Sequence, residues 1–331
     1  MKVMPRPIDD VVDTARPRIA VLVPCRDEER TVAQVVGDFL RALPAAQVFV
    51  YDNASRDRTA ELARAAGAIV RRETPPGKGG VVRRMFAEVD ADVYVLVDGD
   101  ATYDATRAPD LVALLVANNL DMVTAVRDDG DRLGTYRRGH RFGNRAFNTL
   151  LGALFGSKPT DMFSGYRAFS RRFVKSFPAS SRGFEIETEF TVHALEQRLP
   201  TTEIRAAYFE RPEGSQSKLS TYRDGLRILR MTVVLFKDER PFAFFGTLAA
   251  LFAVAGLALG ATVVVEFMET HLVPRLPTAI LATGLMLSAF LSLACGLILD
   301  SVARGRREMK RLAYLAAGAT PEDVSQDGPL R

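Results

Sequence analysis

The chain has no tryptophan and only two cysteines and three histidines in 331 residues. Cys25 lies early and Cys295 sits inside a long apolar run, which excludes a disulfide framework and reads as a reduced, cytosolic chain. His140, His193 and His271 are scattered, so no Cys/His metal cluster is expected. No G-x-G-x-x-G occurs, and Gly77-Lys78-Gly79 lacks the spacing and the Ser or Thr of a P-loop. A Rossmann oxidoreductase and a P-loop kinase are both disfavoured. Charge is missing altogether from two stretches, Pro241 to Val265 (25 residues) and Leu276 to Leu299 (24 residues). At about 1.5 Å per residue each is longer than the roughly 30 Å hydrocarbon core of a bilayer, which argues against a fully soluble protein.

The basic residues present are placed around those stretches. Lys237 and Arg240 precede the first, and Arg304, Arg306, Arg307, Lys310 and Arg311 follow the second, whereas the connection 266–275 holds one basic residue, Arg275, against Glu266 and Glu269. By the positive-inside rule both flanks are expected in the cytoplasm and the connection outside. Upstream, Tyr222, Leu226, Leu229, Val233 and Phe236 recur at helical spacing beside Arg223, Arg227, Arg230 and Lys237. That pattern suits an amphipathic helix in the headgroup region, or alternatively one packed on the soluble domain. Met1 to Arg18 is polar and proline-bearing, with no signal-peptide pattern.

Between these ends the apolar run Ile19 to Pro24 is followed by helix-period residues Val32, Val35, Val36, Phe39 and Leu40. The alternation repeats with strands at Gln47 to Tyr51, Ala68 to Arg71 and Val93 to Val97. Strands alternating with helices predict an α/β domain with a mostly parallel sheet and ligands at the carboxyl ends of its strands. The polar loops fall at those ends, and one of them is Asp98-Gly99-Asp100. Two carboxylates beyond a buried strand suit Mg²⁺ or Mn²⁺ shared with a diphosphate. Cations then gather downstream. Arg127 ends the strand Met122 to Val126, and Arg138, Arg141 and Arg145 share a helix face. Bidentate Arg contacts and a Lys charge both suit a phosphate.

Taken in order, the segments Val21-Leu22-Val23-Pro24-Cys25-Arg26-Asp27-Glu28-Glu29, Asp52-Asn53-Ala54-Ser55-Arg56-Asp57-Arg58-Thr59, Gly77-Lys78-Gly79, Asp98-Gly99-Asp100, Asp161-Met162-Phe163-Ser164-Gly165-Tyr166-Arg167 and Arg211 to Leu219 resemble the motifs of glycosyltransferase family 2. The branch is similar to the polyprenyl-phosphate glycosyltransferases related to dolichyl-phosphate mannose synthase. The resemblance implies the GT-A nucleotide-sugar-binding fold, here with a C-terminal two-helix transmembrane hairpin. By the same resemblance Pro24, Arg26, Glu28, Asp52 and Asn53 would hold base and ribose, Lys78 would sit near the nucleotide, and Asp98 and Asp100 would bind the metal on the donor diphosphate. Arg127, Arg141, Arg211, Ser217 and Lys218 would receive the acceptor phosphate. Asp100 and Asp161 are the catalytic candidates; Asp161 matches an acidic residue proposed as base in relatives, with metal positioning or helix capping as alternatives. Glu185, Glu187 and Glu189 could line the sugar pocket. The chain departs from the family where Arg26 replaces an aromatic residue and Thr102 follows the acidic pair in place of Gln.

The expectation is an inverting, metal-dependent transferase that moves one sugar from a UDP- or GDP-linked donor to polyprenyl phosphate at the cytoplasmic membrane face. Another lipid or glycan acceptor, or a catalytically idle membrane scaffold, are the alternatives. A processive synthase is disfavoured, because two spans scarcely build a pore and a Q-x-x-R-W motif cannot occur without tryptophan. The expected divisions are an extension (1–18), a catalytic domain (19–219), an interfacial helix (220–240), two spans (241–265 and 276–299) and a basic cytoplasmic tail (300–331). Nucleic acid is not an expected partner, and a homo-oligomer is compatible with the sequence.

Overall fold

The computed structural model describes residues 17–128, 160–179, 186–209 and 236–318, with 152, 233 and 234. Contacts divide the chain into two units, one comprising 1–133, 159–217 and 310–331 and the other 134–158 and 218–309.

The first unit is built on a sheet with seven strands among the described residues: β1 (Ile19–Cys25), β2 (Gln47–Asp52), β3 (Ile69–Arg72), β4 (Val93–Leu96), β5 (Met122–Asp128), β6 (Arg167–Ser170) and β7 (Thr201–Ala207). Their order is β3-β2-β1-β4-β6-β5-β7. All neighbours pair in parallel except β6, which runs antiparallel to both β4 and β5. Six strands therefore point the same way, and the loops after β1, β2, β4 and β5 open at one edge. The connections carry α1 (Val32–Ala42), α2 (Thr59–Ala65), α3 (Lys78–Glu88) and α4 (Ala108–Ala117), followed by α5 (Arg171–Ser176) and α6 (Ile186–Gln197). This mixed but mostly parallel sheet is a GT-A-like α/β arrangement.

Helices on both faces explain why β1 and β4 are apolar without interruption. Val21, Val23 and Cys25 of β1 turn toward Val32, Val36 and Phe39 of α1 and Leu111 of α4, whereas Ala20 and Leu22 turn toward Val81, Val82 and Met85 of α3. The second face is finished by an aromatic cluster in which Phe86, Phe169, Phe173, Phe177 and Phe190 meet at centroid distances such as 4.7 Å and 4.9 Å. His193 stands edge-on to Phe173 and Phe177 in the same cluster. The apolar spacing of Val81 to Val89 predicts a helix there, and α3 begins three residues earlier, at Lys78, because Gly77 at φ 138° turns the chain into it.

In the second unit, α7 (Pro241–Thr270) and α8 (Leu276–Gly318) are long and apolar enough to cross a membrane and are candidate spans. Their hydroxyls bond back onto their own helices: Thr247 to the Ala243 carbonyl, Thr283 to Ala279 and Ser288 to Gly284. Such bonds satisfy polar groups where no water is available. The helices touch through small residues, Gly256 against Met286 and Ala282, and Gly296 against Phe245. Arg306 and Arg307 donate to the carbonyls of Asp238 and Glu239 just ahead of α7.

Helix α8 is unbroken through the polarity change at Asp300. Its last turns, from Lys310, belong to the first unit: Lys310 Nζ lies 2.6 Å from Glu196, Tyr314 donates to Asp121 at 2.9 Å, and the Arg172 guanidinium covers the Tyr314 ring.

Candidate active site

The loops after β1 and β2 are laced together by backbone N–H donors and side-chain acceptors. Asp27 N–H donates to Ser55 Oγ, Glu28 N–H to Thr59 Oγ1 and Glu29 N–H to Asp57 Oδ2, while Arg56 N–H returns to Asp27 Oδ1. Asp57 also accepts from the Thr59 backbone, so this part of the motif is framework. Pro24 lies beside Tyr51 one residue before the end of β1, and the Arg26 side chain is 43% exposed at the rim. Asp52 is buried, accepting from Ser55 N–H and facing Arg72 Nε at 3.3 Å.

Asn53, expected to hold base or ribose, spends its amide on the next loop. Nδ2 donates to the carbonyls of Glu73 and Pro75, and Oδ1 accepts from Gly77 N–H. That loop delivers Lys78, whose buried ammonium bridges Asp98 Oδ1 and Glu187 Oε1. Burial pulls the ammonium pKa down, but the two carboxylates more than offset it, so the pKa is raised and Lys78 stays charged. Burial pushes the Glu187 carboxyl up, against the pull of Lys78, and its Oε2 has no hydrogen-bond partner among the described residues. Of the glutamates expected near the sugar, Glu187 is joined to Asp98 through Lys78, and Glu189 lies on the same helix.

Asp98 and Asp100 flank Gly99 directly beyond β4. A Cβ on Gly99 would collide with Cys25 Sγ, so the thiol beneath the loop dictates glycine there. Thr31, at the start of α1, donates to the Gly99 carbonyl at 2.6 Å and pins the same turn. Asp100 is buried, with Oδ1 accepting from Thr102 Oγ1 at 2.6 Å and from Thr102 N–H at 3.2 Å. Thr102, where the family pattern has Gln, thus holds the orientation of Asp100. Among the described residues no three His, Cys, Asp or Glu side chains form a metal cage. Two hard carboxylates at one turn fit a divalent cation whose remaining ligands come from a diphosphate and water.

At the end of β5, Arg127 faces Asp161 through two parallel bonds, Nε to Oδ2 at 2.7 Å and Nη2 to Oδ1 at 2.9 Å. Burial pushes the Asp161 carboxyl up, yet hydrogen bonding and charge from Arg127 win and hold it below the ordinary carboxylate range. Arg141, Arg211, Ser217, Lys218 and Glu185 lie outside the described residues.

Two site-shaping residues receive no role from the sequence, although Arg167 closes the Asp161-to-Arg167 motif. Tyr103 accepts from Gly165 N–H at 2.9 Å and packs against Tyr166 and Tyr208. Arg167 is fully buried, donating to the carbonyls of Ser164 and Met162 and to Thr191 Oγ1. Burial lowers its pKa to about 10, and the side chain staples the 162–166 turn that faces Asp98.

A glycosyl transferase family 2 model matches residues 20–177. Glycosyltransferase AglJ of Haloferax volcanii is 32% identical over 299 residues, covering 90% of this chain and 98% of that one. The dolichyl-phosphate hexose transferase of the same organism is 28% identical over 226 residues, covering 67% of this chain and 95% of the relative. Among solved structures, Mycobacterium tuberculosis glucosyl-3-phosphoglycerate synthase in complex with uridine diphosphate superposes with a TM-score of 0.55 at 22% identity, over 67% of this chain and 80% of that one. The fold, the ordered site loops and the near full-length match to AglJ lead to one conclusion: the chain belongs to glycosyl transferase family 2 and is a glycosyltransferase.

Proposed function

We propose that the protein transfers one sugar, with inversion, from a UDP- or GDP-linked donor to polyprenyl phosphate at the cytoplasmic membrane face. The observation that carries this reading is the meeting, at one sheet edge, of the Asp98/Asp100 pair, the buried ammonium of Lys78 and the fixed guanidinium of Arg127. Acidic groups and a cation suit a donor diphosphate, and a separate arginine suits a second phosphate on the acceptor. A relative named as a dolichyl-phosphate hexose transferase supports that acceptor class.

The second pKa of a phosphate monoester is about 6, so at pH 7 the attacking oxygen is mostly ionised and needs no strong base. It would form the new bond to the anomeric carbon while the bond to the nucleotide diphosphate breaks on the opposite side. Negative charge then grows on the leaving diphosphate, where Lys78 can stabilise it and orientation supplies much of the remaining advantage. Asp98 and Asp100 would hold Mg²⁺ or Mn²⁺, which supplies further charge neutralisation at that diphosphate. Asp52 and the 24–28 loop would face base and ribose. Arg141, Arg211, Ser217 and Lys218 are proposed to join Arg127 around the acceptor.

The test offers the purified full chain a panel of UDP- and GDP-sugars with a short polyprenyl phosphate or the matching alcohol, followed by mass spectrometry. Sugar should appear on the phosphate-bearing lipid alone, disappear with chelator and return with Mn²⁺ or Mg²⁺. Equal use of the alcohol would overturn the acceptor assignment, and full rates in excess chelator would overturn the metal.

A further inference from the structure

Asp161 has both oxygens committed. Oδ2 accepts from Arg127 Nε at 2.7 Å and from the Arg127 backbone N–H at 3.3 Å; Oδ1 accepts from Arg127 Nη2 at 2.9 Å and from Phe163 N–H at 3.2 Å. A carboxylate has about four acceptor sites, and four donors occupy them. The pair is largely buried, with side-chain exposures of 18% for Arg127 and 13% for Asp161, and the guanidinium also stacks over Tyr208 at 5.5 Å. The plane of the guanidinium is therefore set from two sides. Bidentate pairing commits one of its edges to Asp161, so the direction in which the rest of the guanidinium points is fixed by that carboxylate.

We propose that Asp161 is a positioning residue that locks Arg127 in the orientation required by the acceptor phosphate, and that it does not remove a proton during transfer. This inference rests on the polyprenyl-phosphate reading above. It is consistent with the chemistry of the attacking group, which arrives already ionised, and it assigns the buried acid a task that its occupied oxygens allow.

A double-mutant cycle tests the assignment on the full chain in lipid nanodiscs, using Arg127→Ala, Asp161→Asn and the double variant with a short polyprenyl phosphate at saturating donor. Each single change should lower kcat/KM for the acceptor about 10- to 100-fold, the scale of a lost charge-assisted contact, mainly through KM. The double variant should be no worse than Arg127→Ala, because Asp161 acts only through that side chain. Binding of UDP or GDP, whichever the wild type prefers, should stay within about threefold by calorimetry, which separates the effect from misfolding. Asp161→Glu keeps a carboxylate while breaking the bidentate geometry and should lose as much as Asp161→Asn. Losses that multiply in the double variant, a fall in kcat at constant KM, or near-normal activity in Asp161→Glu would each overturn the positioning role. Wild-type transfer to polyprenyl alcohol as readily as to the phosphate would instead overturn the acceptor reading.

Discussion

Gly165 leaves no room for a side chain: a Cβ there would stand 2.5 Å from Asp98 Oδ2 and 3.3 Å from Lys78 Nζ. Gly165→Ala should push the Asp98 carboxylate out of place and lower kcat/KM roughly 10- to 100-fold, while the partly exposed aspartate absorbs the shift and stability changes by about 1 kcal/mol or less. Unchanged kinetics would show that the position of Asp98 is immaterial. Arg167→Met is expected to do the reverse. It leaves the Met162 and Ser164 carbonyls without their donor in a dry interior, each costing about 1–3 kcal/mol, so melting temperature should fall clearly. The acidic pair at the end of β4 was legible in the sequence, because a carboxylate pair after a buried strand announces itself. The commitments of Asn53 and Lys78 were not: Asn53 bonds backbone groups 20 to 24 residues away, and Lys78 meets Glu187 across 109 residues. Only the folded chain brings those partners together.

Among the elements, α6 carries a proton-linked contribution to stability. His193 is 1% exposed, enclosed by Phe173 and Phe177, with Nε2 3.2 Å from Ser176 Oγ. Burial, with a smaller contribution from the charge of Lys310, lowers its pKa to about 3. The unfolded chain regains a value near 6.5 and so binds more protons between those two pH values. Stability from this group is therefore complete above about pH 6.5 and declines as pH falls toward about 3, with a limiting slope of about 1.4 kcal/mol per pH unit. Thermal melts of the wild type should drop between pH 7 and pH 5 by more than those of His193→Gln, which has no ring to charge. Equal drops in both proteins would remove His193 as the cause. The strand and helix sequence of the first half was readable from periodicity because each β-strand is apolar on both faces or bounded by a polar loop. Beyond Leu299 the sequence also reads as a short basic helix to about Ala317, because Ala, Arg, Met, Lys and Leu there are all good helix formers, and helix does run to Gly318. The charge beginning again at Asp300 hid only that this basic stretch and the apolar one before it form a single element.

For the whole molecule, the continuity of α8 joins the question of topology to that of catalysis. Its last turns are fixed to the catalytic unit by Lys310 with Glu196 and by Tyr314 with Asp121 under the Arg172 guanidinium. Whichever side of the membrane receives the end of α8 must therefore also hold the catalytic unit. By the positive-inside rule the basic residues 304–311 would place that end in the cytoplasm in the proposed topology, and the acidic connection around Glu266 and Glu269 would then lie on the other side. The expected result in intact cells carrying Cys295→Ala and Thr270→Cys is labelling of position 270 by a membrane-impermeant maleimide, with Cys25 silent because it is buried and burial raises its thiol pKa. A cysteine introduced at Ser301 should label only after permeabilisation. Replacing Tyr314 by Phe and Lys310 by Met should leave both labelling patterns unchanged, since topology is set by flanking charge and apolar length. The same double change should loosen the catalytic unit from the helix end, read as faster proteolysis between residues 300 and 331. If position 270 is protected in intact cells and position 301 is labelled, the orientation is inverted and the cytoplasmic assignment of the donor site falls with it.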